Sequence, residues 1–412
     1  MTDLIRSWVE SANAKTTEFP LNNLPYGVFS QDGNSGRSCT AIGAKVLDLH
    51  GLEDAGLIDF GGALRAGDWS SFMSLGKREW DRLRTYLQEA LAEGSDAERA
   101  LAPHIISLAD VQLLMPFTVS EFTDFYASRH HASNVGRILR GTNGEVPPNW
   151  LHIPIGYNGR ASSIAVSGTD VRRPNGQLKP KDETMPRFGP SERFDFELEF
   201  GAIVGQPSSG LISVETAFEN IFGYVLLNDW SARDVQAWEY QPLGPFQSKA
   251  AATTISPWIV TTAALEPFRV AATGRELPLL DYLQEGSPML YDVELEVALA
   301  PPSGIDTVIT RTNYKYMYYS SAQQLAHHTS SGCPMRVGDL LGSGTISGPE
   351  KTSRGCMMEL TWNGQEPVEL SSSESRGFIE DGDTVTIRGH AQGAGFRVGF
   401  GACSNRVLPA KG

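Results

Sequence analysis

Glycine and proline recur after about residue 119 and divide the apolar stretches of the chain into short runs. The breaks include Pro147-Pro148, Pro174-Asn175-Gly176, Gly189-Pro190, Gly205-Gln206-Pro207 and Gly244-Pro245. Such punctuation favours many short strands joined by turns over long helices. Since the whole chain holds 42 glycines and 24 prolines, we expect a mainly β, loop-rich architecture with some helix.

The first 118 residues show a different pattern. A turn leads into a strand at 23–30, a second apolar run follows at 44–49, and a helix is predicted over 77–91. The apolar residues with helical spacing are Trp80, Leu83, Leu87 and Leu91. Because 412 residues exceed one typical domain, we predict a small α+β domain over 1–118, without chemistry of its own, and a larger domain over 119–412.

The charge balance and the cysteines narrow the choice of partners and compartment. A formal net charge of -14 and the absence of a Lys/Arg-rich run argue against binding to nucleic acid. The four cysteines lie far apart and are expected to be reduced, mostly buried thiols. Neither a signal peptide nor a run of about 18 apolar residues is present. These features predict a cytoplasmic protein with no membrane partner.

One predicted strand, Phe194–Phe200, alternates apolar side chains with carboxylates. Asp195, Glu197 and Glu199 would therefore share one face, where they repel each other and only Arg193 lies nearby in sequence. A solvated polar face is the ordinary explanation of such a pattern. A divalent cation would also compensate the repulsion, and the segment alone leaves both interpretations open.

Two further acids strengthen the metal hypothesis. Asp229 ends the apolar run that starts at Ile221, where a strand opens into a loop, although an aspartate there could equally cap a following helix. Asp124 precedes His131 by seven residues, so the two would share a face if this stretch were helical, although a polar helix whose histidines only form hydrogen bonds with their neighbours would show the same pattern. Carboxylate oxygens without zinc-type Cys/His spacing favour Ca²⁺ or Mg²⁺, with Mn²⁺ as an alternative.

Several motifs are long enough to indicate a family. The segments Asp124-Phe125-Tyr126-x-Ser128-Arg129-x-His131-Ala132-x-Asn134-Val135-Gly136 and Asn228-Asp229-Trp230-Ser231-Ala232-Arg233-Asp234 resemble those of the fumarylacetoacetate hydrolase family. Further matching segments are 148–163, 242–246, 253–258 and 344–348. The resemblance extends from the 23–30 segment to 398–401 and so covers nearly the whole chain.

The resemblance implies a small SH3-like N-terminal barrel, a larger β-roll that holds the active site, and a homodimer. It implies metal-dependent hydrolysis of the carbon–carbon bond of 4-fumarylacetoacetate, a β-diketo acid, to fumarate and acetoacetate, the last step of tyrosine and phenylalanine catabolism. The metal ligands it implies are Asp124, Glu197, Glu199 and Asp229, with Lys249 and Thr253 near a second magnesium ion. The implied catalytic residues are His131, Glu359, Arg233, Gln236 and Lys249, and the implied substrate contacts are Tyr126, Arg140, Tyr157, Tyr240 and Thr345.

These residues can support the reaction. His131 would take a proton from water with Glu359 as its partner, and Arg233, Gln236 and Lys249 would face the oxyanion. A serine nucleophile is disfavoured because no Gly-x-Ser-x-Gly elbow occurs. The competing functions are a decarboxylase, a hydratase or an acylpyruvate hydrolase on the same fold, and an inactive scaffold.

One departure from the family pattern concerns the second ion. Ala250-Ala251-Ala252 precede the 253–258 motif, where glycine is common in the family. The additional Cβ of Ala252 could crowd a cation near Lys249 and Thr253. We therefore regard the main carboxylate site as the firmer metal prediction.

Overall fold

The computed structural model describes residues 3–31, 33 and 35–411. The strands of this part of the chain are β1 Tyr26–Ser30, β2 Arg37–Ile42, β3 Lys45–Asp48, β4 Ile105–Ser107, β5 Gln112–Leu114, β6 Phe122–Phe125, β7 Gly156–Asn158, β8 Ile164–Val166, β9 Val171–Arg172, β10 Asn175–Leu178, β11 Arg187–Pro190, β12 Phe194–Asp195, β13 Leu198–Val204, β14 Ile221–Asp229, β15 Ser231–Ala232, β16 Thr253–Ile255, β17 Val260–Thr261, β18 Arg269–Val270, β19 Leu290–Tyr291, β20 Glu294–Ala300, β21 Thr307–Asn313, β22 Leu340–Gly342, β23 Val368–Glu369, β24 Ser375–Arg376, β25 Thr384–Gln392 and β26 Arg397–Leu408.

Helices are fewer and mostly short. The α-helices are α1 Leu49–Asp54, α2 Ser70–Met73, α3 Lys77–Ala90, α4 Glu98–Leu101, α5 Arg129–Arg140, α6 Ala217–Asn220, α7 Arg233–Glu239, α8 Gln247–Ala250, α9 Thr262–Leu265, α10 Ser321–Thr329 and α11 Met357–Leu360. Single 3-10 turns occur at Glu10–Asn13, Ala63–Arg65, Ala102–His104, Leu108–Asp110, Pro148–Leu151, Ala161–Ser163, Glu266–Phe268, Asp281–Leu283, Tyr314–Tyr316 and Lys351–Ser353. Among the described residues, no helix combines the length and apolar character that crossing a bilayer requires.

The N-terminal sheet has the order β4-β3-β2-β1-β5. The long helix α3 buries Trp80, Leu83 and Leu87 in a core that continues into the next sheet through Phe222 and Leu227 of β14. The predicted helix and the early strands are thus present. The SH3-like form of this region and the boundary at residue 118 stay predictions.

A central sheet with the order β7-β6-β22-β13-β14-β16-β8 carries the side chains of interest, and β17 also pairs with β14. A second sheet, β21-β20-β25-β26-β9, lies against it, with Phe200 and Tyr224 of the central sheet packing in the same core as Phe400. The mainly β fold predicted from the short apolar runs is confirmed.

Candidate metal centre and active site

Four buried carboxylates meet at one point of the central sheet. Asp124 comes from β6, Glu199 from β13, and Asp229 from the end of β14, whereas Glu197 lies between β12 and β13. One oxygen from each lies within 4.8 Å of the others. The sheet therefore brings together acids that are separated by up to 105 residues of sequence.

A glycine in the intervening strand makes this convergence feasible. Gly342 of β22 pairs with Asp124 on one side and with Gly201 of β13 on the other. A Cβ at this position would lie 2.9 Å from Glu199 Oε2 and 3.1 Å from Asp124 Oδ1. The missing side chain is what lets the two carboxylates face each other across the strand.

The donor set fits a divalent cation. Asp124 Oδ1 and Glu199 Oε1 are buried, and among the described residues neither has a hydrogen-bond donor. Buried acceptors without partners are costly, and they are rare in folded proteins. Because every candidate ligand atom is a carboxylate oxygen, the group suits a hard cation.

The electrostatics of the cluster lead to the same conclusion. Burial raises the pKa of Asp124 well above its usual value, and the neighbouring Asp229 adds to the effect. Burial and the charge of Asp124 do the same to the pKa of Glu199. Two carboxylates that resist ionisation in the metal-free protein would ionise readily beside a divalent cation.

Two cations compensate part of the negative charge. The Lys249 ammonium donates to Asp229 at 2.6 Å and also contacts Glu197, while Arg233 Nη1 lies 2.7 Å from Glu197 Oε1. Burial would raise the pKa of Glu197, but the charges of Lys249 and Arg233 hold it well below its usual value. Burial would likewise lower the pKa of Lys249, but Asp229 and Glu197 raise it. Both cations are therefore charged.

A histidine–carboxylate pair is the second group of buried ionisable side chains. His131 is on the first turn of α5, and its Nδ1 lies 2.6 Å from Glu359 Oε2 on α11. Burial opposes ionisation of Glu359, but His131 and the Asn134 amide lower its pKa to about 2. A carboxylate on Nδ1 fixes the orientation of the ring and leaves Nε2 free for proton transfer.

The predicted substrate-contact residues line one cavity of about 360 Å³. Its lining includes Tyr126, Arg140, Tyr157, Tyr240, Thr345, Asp124, His131, Glu197, Arg233, Gln236 and Lys249. Tyr157 joins this lining to the carboxylates, because its hydroxyl donates to Asp229 at 3.4 Å. Polar groups that were predicted from six separate sequence segments thus converge on one cavity.

Comparison with known proteins identifies the family to which the chain belongs. The model described as "Fumarylacetoacetate (FAA) hydrolase C-terminal" matches residues 120–408, and "Fumarylacetoacetase N-terminal" matches 22–116. The chain belongs to the fumarylacetoacetate hydrolase family. The resemblance inferred from the sequence motifs is therefore confirmed.

Curated relatives match over almost their whole length. A fumarylacetoacetase from Arabidopsis thaliana is 46% identical over 424 residues, which cover 99% of each chain. The fumarylacetoacetase of Bos taurus is 46% identical over 415 residues, 96% of this chain and 98% of the relative. The solved structure of a fumarylacetoacetate hydrolase from Exiguobacterium antarcticum is 16% identical, with a TM-score of 0.54 and coverage of 94% and 100%. This last likeness supports the family fold alone.

Two details inferred from the sequence need correction. Asp124 and His131 do not share a helix, because Asp124 is on β6 and α5 begins only at Arg129, after the cap Ser128. Asp195 does not join Glu197 and Glu199, because the strand is interrupted between β12 and β13. Its carboxylate instead binds Arg233 and backbone amides. Asp229 ends β14 as predicted. It does not cap the next helix, α7, because the residue at the N-cap position is Ala232.

The second ion that the family resemblance implies stays a prediction. Thr253 Oγ1 donates to Asp229 Oδ1 at 2.9 Å, next to the Lys249 ammonium. Because an ammonium has no lone pair, Lys249 could offer a cation only its backbone oxygen. Ala252, the departure from the family pattern, is buried beside these residues.

Sequence reasoning assigned no role to three residues around Glu359. Asn134 Nδ2 donates to Glu359 Oε1 at 2.8 Å, and Ser347 Oγ donates to Oε2 at 2.9 Å. The Cys356 thiol also donates to Oε2, at 3.2 Å. The one sequence feature that could have indicated a role was the position of Asn134, which lies three residues after His131 and therefore on the same face of the helix. The three donors hold the Glu359 carboxylate in place, and those from Asn134 and Cys356 add to the effect of His131 in lowering its pKa.

Proposed function

We propose that this member of the family is a metal-dependent hydrolase that cleaves the carbon–carbon bond of fumarylacetoacetate to fumarate and acetoacetate. The reaction is the last step of tyrosine and phenylalanine catabolism. The observation that carries the proposal is the cavity that His131 shares with Asp124 and Glu197, two members of the carboxylate cluster. The names of the curated relatives, which match along nearly the whole chain, support the choice of substrate.

The chain's own residues account for the proton transfers. Water adds to the carbonyl carbon while His131 Nε2 takes its proton, and Glu359 stabilises the imidazolium. The carbon–carbon bond then breaks, its electron pair moves into the enolate of the second carbonyl, and that enolate takes at carbon the proton that His131 received, which returns the imidazole to its neutral form. Arg233, Gln236 and Lys249 line the same cavity and can donate to the oxyanion, where each such donor typically contributes about 3 kcal/mol.

We assign Asp124, Glu197, Glu199 and Asp229 as the ligands of one divalent cation. When bound there, the cation would polarise a substrate carbonyl and stabilise the enolate that leaves. Oxygen-only coordination supports Ca²⁺ or Mg²⁺, with Mn²⁺ as an alternative. A second magnesium ion near Lys249 and Thr253 belongs to the same proposal.

The substrate is an anionic diketo acid, and the cavity has cations and phenols to receive it. Arg140 can bind a carboxylate through two parallel hydrogen bonds, and Tyr126, Tyr157, Tyr240 and Thr345 supply further polar groups. Lys249 and Arg233 reduce the repulsion between the acidic cluster and the anionic ligand. A homodimer and a cytoplasmic location complete the proposal and rest on the family resemblance.

The experiment follows the diketo absorbance of fumarylacetoacetate during incubation with purified protein. We expect release of fumarate and acetoacetate, loss of turnover with EDTA, and recovery with Ca²⁺ or Mg²⁺. His131→Ala should abolish turnover, whereas His130→Ala, at a neighbouring histidine that packs against Tyr316, should retain it. If wild-type protein left this substrate intact but cleaved an acylpyruvate, the substrate assignment would be wrong.

A further inference from the structure

Asp195 is a buried carboxylate that connects three segments of the active site. It lies on β12, which pairs with β15 immediately before Arg233. Its Oδ1 accepts from the Met357 amide at 2.7 Å, and its Oδ2 accepts from the Met358 amide at 3.0 Å and from Arg233 Nε at 2.8 Å. Two backbone amides thus hold the carboxylate that in turn holds the arginine.

Arg233 is held at two of its three nitrogens. Besides the bond from Nε to Asp195, Nη1 contacts Glu197 Oε1 at 2.7 Å and Gln236 Oε1 at 3.2 Å. Nη2 is buried, and among the described residues nothing accepts its hydrogen bonds. Because a guanidinium is planar and rigid, fixing Nε and Nη1 also fixes the direction of Nη2. Arg233 lines the cavity, and Nη2 is the one nitrogen of its guanidinium without an acceptor among the described residues.

A second buried Asp–Arg pair shows what a purely structural version looks like. Asp383 accepts from Arg376 Nε at 3.0 Å, from Arg376 Nη2 at 3.1 Å and from the Glu380 amide at 2.9 Å. Arg376 Nη1 donates to the Ser375 carbonyl and Nη2 also to Glu374. All three nitrogens of Arg376 therefore have acceptors, whereas Arg233 keeps one nitrogen without any.

We propose that Asp195 is a positioning residue that orients Arg233 so that Nη2 meets the oxyanion formed in the cavity. The inference rests on the proposed hydrolase function and adds to it a residue that touches neither substrate nor metal ligand set. Met357 and Met358 contribute only their amides, which keep the carboxylate in place. Removing the negative charge of Asp195 would leave Arg233 free to turn toward the acidic cluster.

The first test is Asp195→Asn. An amide cannot accept at both oxygen positions, so at least one of the three donors loses its acceptor and meets an NH₂ group instead. We expect kcat to fall about tenfold to hundredfold, as for other displaced catalytic groups, with KM and Mn²⁺ affinity within about threefold of wild type. Asp383→Asn, the matched control, should lower the melting temperature comparably and keep kcat. Equal losses of kcat in both variants, or normal kcat in Asp195→Asn, would overturn the inference.

A double-variant cycle with Arg233→Met tests whether Asp195 affects kcat through Arg233. The comparison of Arg233→Met with the double variant can be made even if Asp195→Asn does not fold alone. Removing both partners avoids an unpaired buried charge, so the double variant is expected to fold. If Asp195 acts through Arg233, adding Asp195→Asn to Arg233→Met changes kcat by less than about threefold. A further loss of tenfold or more would contradict the inference. An inactive wild type would instead refute the proposed function, which keeps the two failures distinct.

Discussion

Glu199 and Glu53 are both buried carboxylates, but their surroundings differ. Glu53, on α1, accepts hydrogen bonds from the backbone amides of Phe60, Gly62 and Leu64, and Arg65 lies 3.7 Å away. Glu199 accepts one amide bond, from Gly344 at 2.9 Å, and its other oxygen has no donor among the described residues. The first acid organises a loop, whereas the second belongs to a group of buried carboxylates whose unpaired oxygens a divalent cation would satisfy.

The contrast shows that burial alone does not reveal a functional carboxylate. The useful signs are an acceptor without a donor and several like charges at one point. Glu53 has backbone donors for both oxygens. Glu199 instead faces Asp124 across the gap left by Gly342. Substitutions at these two glutamates should therefore have opposite consequences for activity and for stability.

The largest expected effect is on catalysis. Glu199→Gln removes a proposed metal ligand, and since the cation is expected to contribute several kcal/mol, kcat/KM should fall by roughly 10³-fold. Glu53→Gln should leave kcat/KM of the folded enzyme within about threefold of wild type. The measurement is steady-state turnover of fumarylacetoacetate at fixed Mg²⁺. More than a tenth of wild-type activity in Glu199→Gln would remove Glu199 from the metal site.

The second effect is a pH dependence of stability. The raised pKa values of Asp124 and Glu199 mean that the chelated folded protein holds protons that the unfolded chain has released. Their contribution to stability is therefore lost as pH rises above about 4, by up to about 1.4 kcal/mol per pH unit for each proton. Metal binding should release protons and stabilise more at pH 8 than at pH 6.

Urea unfolding in EDTA and in saturating Mg²⁺ at both pH values checks this expectation, and calorimetry in two buffers counts the protons. Glu199→Gln serves as the control, because it removes one titrating group and should flatten the pH dependence of the chelated protein. A metal-induced stabilisation that is the same at pH 6 and pH 8, with no proton release, would contradict the assignment of these carboxylates as ligands.

The third effect concerns stability without metal. Glu53→Gln presents an amide NH₂ group to donors that the carboxylate now satisfies, so the free energy of unfolding in EDTA should fall by about 1–3 kcal/mol. Glu199→Gln should leave that free energy equal or higher, because it replaces a buried acid that is costly to ionise by a side chain that is neutral in both the folded and the unfolded protein. Urea denaturation of both variants in EDTA measures the difference. A greater loss in Glu199→Gln than in Glu53→Gln would reverse the comparison.

Much of this arrangement could be predicted from local patterns. Helical spacing predicted a helix over 77–91, and the structure has α3 at Lys77–Ala90. The end of an apolar run located Asp229 at the end of β14. These features depend on neighbours in sequence, so the periodicity of the side chains was sufficient to predict them.

The remaining features depend on contacts between distant segments. The alternation at 194–200 continues without a break in the sequence, yet the strand is interrupted where Glu197 forms an isolated bridge with Cys356. Asp195 is thereby directed to Arg233 instead of the carboxylate cluster. Similarly, nothing in the local sequence connects Asn134 to Glu359, which are 225 residues apart. Contacts between segments that are distant in sequence determined the partners of Asp195 and Asn134, and local secondary-structure propensity did not.

The smallest expected effect comes from the glycine that separates the two acids. Gly342→Ala would place a Cβ 2.9 Å from Glu199 Oε2 and 3.1 Å from Asp124 Oδ1, so one carboxylate must shift from the position it takes for a ligand. Displacing a metal ligand in this indirect way should weaken Mn²⁺ binding about tenfold. In Gly189→Ala, on β11, the nearest atom to the new Cβ is 3.7 Å away, and affinity should not change. Unaltered Mn²⁺ affinity in Gly342→Ala would show that the carboxylates do not need the gap across β22, and that their convergence has another cause.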